Sequence, residues 1–265
     1  MRGHGVLDGR PTAAVPPLGG FSFGVLMIEV RRLLRNRRTL LFTIGMPVMF
    51  FLLFGLNKSY AGLRAGHGNV AAFIMISMAL YGAVLSTTGG GAVVSLERAA
   101  GWSRQLRVTP LTPAAHIATK MLAAMVLGFI AVAAVFAAGL ITHKPVMSGS
   151  LWVASGLAVW GGSLLFTACG LCLGYLLPSE NVMQVMSFVL VFFAFGGGLF
   201  IPLSQFPPIV QTLAHYTPLY GLNQLVHWPL MGGALHASWL ANAAVWLLLF
   251  AGGASWLFRR DTARV

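Results

Sequence analysis

Few residues in this 265-residue chain are equipped for chemistry, and their types and spacing narrow what that chemistry is. Cys169 and Cys172 stand as Cys-Gly-Leu-Cys inside an apolar run, where i, i+3 spacing puts both thiols on one side of a helix. Redox or metal work needs a thiolate, which an apolar setting disfavours, and no second Cys pair or nearby His completes a zinc set, so the pair reads as packing. Of the seven histidines, His215, His227 and His236 are 12 and 9 residues apart, and none pairs at i, i+4 as a helical metal site would require. No Ser/His/Asp grouping is discernible. No G-x-x-x-x-G-K-[ST] phosphate loop occurs either, since Gly55-Leu56-Asn57-Lys58-Ser59 lacks its spacing. The chain is expected to be no enzyme, and to bind no metal and no ATP itself.

What remains is charge. Residues 95–120, SLERAAGWSRQLRVTPLTPAAHIATK, place Glu97 among Arg98, Arg104, Arg107 and Lys120 between two long apolar runs. Such a stretch stays in water or at headgroup depth while its flanks enter lipid. Residues 96–105 read as a short amphipathic surface helix, with Leu96, Trp102 and Leu106 toward the interface and Arg98, Arg104 and Arg107 toward water. Thr109 and Pro110 stop it. Thr112 can cap the next helix, with Pro113 at the first helical position. Glu97 is placed to pair with Arg98 or Arg104.

Composition supplies the frame. The chain is 57% hydrophobic and 8% charged, with mean hydropathy +0.81, against about 25% charged residues in a soluble domain. It reads as an integral membrane protein. The net charge of +12 would suit a nucleic-acid binder if the cations shared one face, but they lie between apolar runs, so no nucleic-acid partner is expected.

Six segments are predicted to cross about 30 Å of hydrocarbon: 39–56, 70–94, 121–142, 151–177, 182–201 and 238–258, none holding Asp, Glu, Lys or Arg. Proton or ion coupling inside the membrane thus has no candidate residue. With the N-terminus inside, the inner segments collect Arg2, Arg10, the arginines at 31, 32, 35, 37 and 38, Arg98, Arg104, Arg107, Lys120, Arg259, Arg260 and Arg264, leaving Lys58, Arg64 and Lys144 outside. That positive-inside bias puts both termini in the cytoplasm. Residues 1–20 read as a disordered cytoplasmic tail, 21–38 as an amphipathic helix, 39–258 as the six-span domain and 259–265 as a second tail. In the amphipathic helix Leu26, Val30, Leu33 and Leu34 recur at helical spacing while Glu29, Arg32, Arg35 and Asn36 take the other side, so it should lie on anionic lipid.

Between Glu180 and Arg259 there is no formally charged residue. Within that stretch, Pro207-Pro208 should open a short apolar helix through Tyr216, broken by Pro218, and Leu219 to Trp228 a second, stopped at Pro229. Both are too short to span and read as a re-entrant pair. Glycine clusters at 89–91, 161–162, 196–198 and 252–253 suit close helix packing, and the two triplets also suit hinges. Pro47 should kink the first span by removing the bond to the Thr43 carbonyl.

Two of these patterns carry a resemblance. Glu97-Arg98-x-x-Gly101, then Leu106, then Thr109-Pro110-Leu111, resembles the E-R-x-x-G…L…T-P-L signature of type 2 ATP-binding-cassette (ABC) transporter permeases. Gly198, Pro202, Pro207, Pro218 and Leu219 resemble that family's Gly…Pro…Pro and Pro-Leu pattern in its re-entrant pair. The resemblance covers the chain from residue 21 to the sixth span. It implies an all-α integral membrane protein: six transmembrane helices, an N-terminal amphipathic elbow helix, a cytoplasmic coupling helix between spans 2 and 3, and a re-entrant pair before span 6.

The resemblance also implies an exporter permease in a bacterial cell membrane, paired with a second, identical copy and driven by two copies of a separate ATPase that hold the ATP and Mg. Coupling to that ATPase would fall to Glu97, Arg98, Gly101, Arg104, Arg107, Thr109 and Pro110, with Glu29 on the elbow. Glu180 fits either a coupling contact or a solvated helix start. The cavity would be lined from spans one, two and five, by residues such as Phe42, Met46, Phe50, Met75, Met78, Tyr81, Met186, Phe192, Phe193 and Phe195. The short outer loops resemble drug and antibiotic self-resistance permeases of the daunorubicin type, which move hydrophobic or amphipathic compounds. Polysaccharide and teichoic-acid exporters share the fold. Readings from other classes are a membrane-embedded enzyme or assembly factor without an ATPase, and a channel.

Overall fold

The computed structural model describes residues 17–101 and 112–263. They form α1 (Phe23–Arg35), α2 (Arg37–Leu40), α3 (Met46–Gly55), α4 (Val70–Ala99), α5 (Pro113–Thr142), α6 (Gly149–Gly162), α7 (Leu164–Leu176), α8 (Val182–Gly196), α9 (Pro208–Ala214), α10 (Pro218–Met231) and α11 (Ala237–Ala263). A two-residue antiparallel bridge, β1 (Arg64–Ala65) to β2 (Gly68–Asn69), leads into α4.

Helix starts follow side-chain capping. The Ser22 hydroxyl accepts from the Val25 N–H at 3.3 Å, Asn69 Oδ1 from the Ala72 N–H at 2.9 Å, and Thr112 Oγ1 from the Ala115 N–H at 3.3 Å, with Pro113 at the first helical position as its sequence predicts. Among the described residues of the first tail, Pro17–Gly20 make a 3-10 turn whose Gly19 carbonyl accepts from the Thr112 N–H at 2.8 Å. The rest of that tail, 1–16, lies outside the described residues, as do 264–265 of the second.

Among the described residues, four helical stretches are long and apolar enough to cross a membrane: Val70–Ala99, Ala114–Thr142, Gly149–Leu176 and Ala237–Asp261. This is a multi-pass, almost wholly helical membrane protein. The fifth expected span is shorter than its sequence predicts, while the first is helical over 37–55, close to its predicted 39–56, in three consecutive pieces. Val182–Gly196 has 15 residues, about 22 Å at 1.5 Å per residue. In the first, a π-helical turn at Leu41–Gly45 precedes α3 and takes up the kink of Pro47, while the Thr43 hydroxyl donates to the Thr39 carbonyl at 2.9 Å.

α4 is the axis: 72% of its most apolar window is buried, against 6% for α11, which lies at the periphery. Its glycines let α7 touch it backbone to backbone. A Cβ on Gly170 would lie 2.2 Å from the Thr88 carbonyl oxygen, and one on Gly91 2.8 Å from the Leu171 nitrogen. The 89–91 triplet thus lies within an unbroken helix, with Gly90 and Gly91 in close contact with neighbouring helices. The 196–198 triplet ends α8, with Gly198 at φ +72°. The break inside a span falls instead at 161–162, where α6 stops and α7 begins, and the Thr87 hydroxyl lies 3.3 Å from the Ser163 carbonyl oxygen.

α9 and α10 are two short helices close to their expected limits, except that α10 runs through Pro229 to Met231. Their connection at Tyr216–Thr217 leaves carbonyls that lipid could not satisfy. α11 satisfies them: Asn242 Nδ2 donates to the His215 carbonyl and Trp246 Nε1 to the Tyr216 carbonyl, each at 2.9 Å.

Candidate functional site: a two-sided ion-pair hub

α4 ends on two consecutive charges, Glu97 and Arg98. Helix residues one apart are rotated by about 100° and cannot face each other. Each therefore finds a different neighbour, which corrects the expected Glu97–Arg98 pair.

Glu97 turns toward α1 and α5. Its Oε1 lies 2.5 Å from Lys120 Nζ and 2.5 Å from Arg32 Nη1, and Lys120 Nζ lies 2.8 Å from Glu29 Oε2. Glu97 and Lys120 are 3% and 4% exposed, so each charge depends on the others: removing one partner of a buried pair costs about 3–5 kcal/mol by stranding the rest. Glu97 Oε2 is itself buried without a hydrogen-bond partner. Glu29, expected on the solvated side of α1, is also turned inward to Lys120, because α1 packs along α5.

Arg98 turns toward α7 and α11. Its Nε and Nη2 donate to the two Asp261 carboxylate oxygens at 3.0 and 2.9 Å, and its Nη1 donates to the Tyr175 carbonyl at 2.7 Å and the Gly174 carbonyl at 3.3 Å. The guanidinium thus clamps a carboxylate bidentately and caps the end of α7, and it sits 5.9 Å from the centre of the Tyr175 ring. Two adjacent side chains join the ends of α1, α4, α5, α7 and α11. What the arrangement can do is hold five helix ends together.

A cleft of about 780 Å³ opens on the Arg98 side, lined by Ser95, Arg98, Gly101, Leu177, Pro178 and Asp261 among others. Gly101, at φ +75°, donates its N–H to the Arg98 carbonyl at 3.0 Å and ends the helical path. Leu96–Ala99 are thus the last turn of α4 and not the start of a separate surface helix. The remaining residues of that expected helix and turn, including Arg104, Arg107, Thr109 and Pro110, lie outside the described residues. Glu180 is exposed between α7 and α8 and makes no ion pair among the described residues. In the sequence Arg32 and Lys120 count only as cations of the inner side, and Asp261 falls in the second tail with no role assigned. The signal that would have found them is the scarcity of acids: of five against seventeen cations, Glu29, Glu97 and Asp261 each sit at a junction.

The proposed path residues divide. Met75, Met78 and Met186 are buried in the core, and Phe193 packs on Phe166 with ring centres 6.4 Å apart. Phe42, Phe192 and Phe195 are exposed, and Met46 is half-buried. Phe50 and Tyr81 meet Phe200, absent from the sequence reading, with ring centres 6.3 Å and 5.0 Å from it. These three form an aromatic group where α3, α4 and the end of α8 converge.

Comparison with known proteins follows the same elements. Over 196 residues, 72% of this chain and 78% of the relative, the sequence is 28% identical to YvfS of Bacillus subtilis (strain 168), which bears the name of a transport permease. Residues 23–229, from the start of α1 to Pro229 in α10, match the family described as ABC-2 type transporter. With most of its length so matched, and its helices ordered around the Glu97–Arg98 junction, the chain belongs to the ABC-2 type transporter family.

Proposed function

We propose that the chain is the six-span permease subunit of an ATP-driven exporter, carrying a hydrophobic or amphipathic compound such as a drug, antibiotic or lipid. ATP and Mg are held by a separate ATPase, two copies of which serve a pair of identical permease chains in a bacterial cell membrane. Both termini and the 95–120 stretch face the cytoplasm, which the placement of the arginines supports. α1 is the elbow helix, Leu41–Gly45 with α3 and α8 complete the six crossings, and α9 and α10 form the re-entrant pair. Short α8 suits this reading, since a half-length helix pair fills the leaflet it does not reach.

The observation that carries the proposal is the hub. An ATPase pressing on the elbow and on residues 97–110 would push a lever whose ends are already tied: Glu97 binds α4 to α1 and α5, and Arg98 binds it to α7 and α11. The stroke then tilts the spans as a set, and the lack of charge in them leaves an apolar route past Phe50, Tyr81 and Phe200. Arg104, Arg107, Thr109, Pro110, Gly101 and Glu180 are the remaining coupling residues of the proposal.

Capture of the tagged chain from its native membrane tests this. The expected result is a co-purifying ATPase with a phosphate loop whose ATP turnover loses its response to added hydrophobic compound when Glu97→Ala or a Thr109-Pro110 replacement is introduced. Recovery of the chain without such a subunit, or cargo movement by the chain alone, would contradict it.

A further inference from the structure

α10 carries two polar residues one turn apart, Asn223 and His227, which are 7% and 4% exposed. Groups this deep in apolar surroundings are costly unless their atoms are paired. His227 Nδ1 lies 2.8 Å from the Asn223 carbonyl oxygen, an acceptor, so Nδ1 holds the hydrogen and Nε2 presents its lone pair. Ser77 Oγ of α4, 3.0 Å from Nε2, then donates to it. The Phe73 ring packs against the imidazole with centres 4.1 Å apart, and the Phe73 carbonyl oxygen is 3.3 Å from Nε2. One turn earlier Asn223 Nδ2 donates to the Gly197 and Gly198 carbonyls at 3.0 and 3.3 Å, where α8 ends. A single turn of α10 thus fastens it to both α4 and α8.

We propose that His227 is a positioning residue of the exit: its bond with Ser77 holds α10 closed on α4, and this joint opens when cargo leaves. The word exit rests on the transporter reading, but the joint is tested without cargo or ATPase. A neutral hydrogen bond suits such a joint. Its net contribution is small, enough to bias two positions and weak enough for a stroke to overcome. Other bonds keep α10 folded on the bundle when this one is lost, namely the His67 N–H to the Leu230 carbonyl at 2.7 Å and the Asn242 and Trp246 contacts to the turn before α10.

The experiment places spin labels at Leu63→Cys and Ile209→Cys, both exposed, in the full chain with Cys169 and Cys172 replaced by Ala, in lipid nanodiscs. Pulsed-EPR distances are compared among the parent, Ser77→Ala, His227→Phe, the double variant and Ser155→Ala, the last removing a buried hydroxyl of α6 that has no hydrogen-bond partner. The expected result is one distance in the parent and in Ser155→Ala, and a second, separate distance in Ser77→Ala and His227→Phe, no larger in population in the double variant, because both changes break the same bond. Should His227→Phe fail to fold, Ser77→Ala carries the test, since it removes only the donor. A single unchanged distance in Ser77→Ala, or the same second distance in Ser155→Ala, would overturn the proposal.

Discussion

The two ends of this bundle face one structural task, tying short helix ends together, and solve it with opposite chemistry. At the basic end the ties are ionic: Glu29, Lys120, Glu97 and Arg32 on one side of α4, Arg98 and Asp261 on the other. Around α10 they are neutral: Asn223 to the Gly197 and Gly198 carbonyls, Ser77 to His227, Asn242 and Trp246 to the His215 and Tyr216 carbonyls. The difference follows from the solvent each end meets. Charges are tolerable near water or headgroups and prohibitive in hydrocarbon, whereas carbonyls left by broken helices must be satisfied by neutral donors wherever water is absent. It also separates two mechanical roles. In the proposed transporter, ionic ties resist separation and would make a rigid lever, while single neutral bonds would make a joint that yields.

Four variants break or sharpen that contrast. Lys120→Met should have the largest effect, because it leaves the Glu29 and Glu97 carboxylates without the cation between them; a loss of about 3–5 kcal/mol is expected in SDS or thermal denaturation in mixed micelles. A silent Lys120→Met would abolish the lever reading. Asn223→Ala should cost about 1–3 kcal/mol by stranding two carbonyls, and that loss should be the same at low and high salt. Asp261→Asn should cost less, about 1–2 kcal/mol, because Arg98 is part-exposed and keeps its bonds to the end of α7. Glu180→Ala should stay within about 0.5 kcal/mol of the parent, as a surface change does. Any larger loss there would place Glu180 in the charged network after all.

The sequence made the membrane helices legible because their apolar runs, bounded by cations and prolines, leave few alternatives. The helix starts at Asn69 and Thr112 follow from side-chain caps of the kind read at Thr112. What it could not give was length where tertiary contacts set the end. α8 stops at Gly196 ahead of Gly198 at φ +72°, and the Gly197 and Gly198 carbonyls beyond its end accept from Asn223, some twenty-five residues later. The same limit applies to the hub. Glu97 and Arg98 stand out in the sequence as a rare acid beside a cation, but their partners Arg32, Lys120 and Asp261 are brought together only by packing of α1, α5 and α11, so local spacing suggested the wrong pair. A glycine triplet looks flexible in sequence, yet within 89–91 Gly91 serves close contact with α7 and Gly90 with Ala124 of α5.

In the proposed exporter the hub converts an external ATPase's stroke into movement of the spans. The most direct measurement is ATP-dependent transport of a hydrophobic fluorescent dye into inverted proteoliposomes that contain this chain and its co-purified ATPase, comparing the parent with Glu97→Gln. The variant should still bind the ATPase and hydrolyse ATP while dye transport falls at least about ten-fold, equivalent to roughly 1.4 kcal/mol of lost coupling. Dye transport by Glu97→Gln at the parent rate, or by the parent chain with no ATPase present, would contradict it.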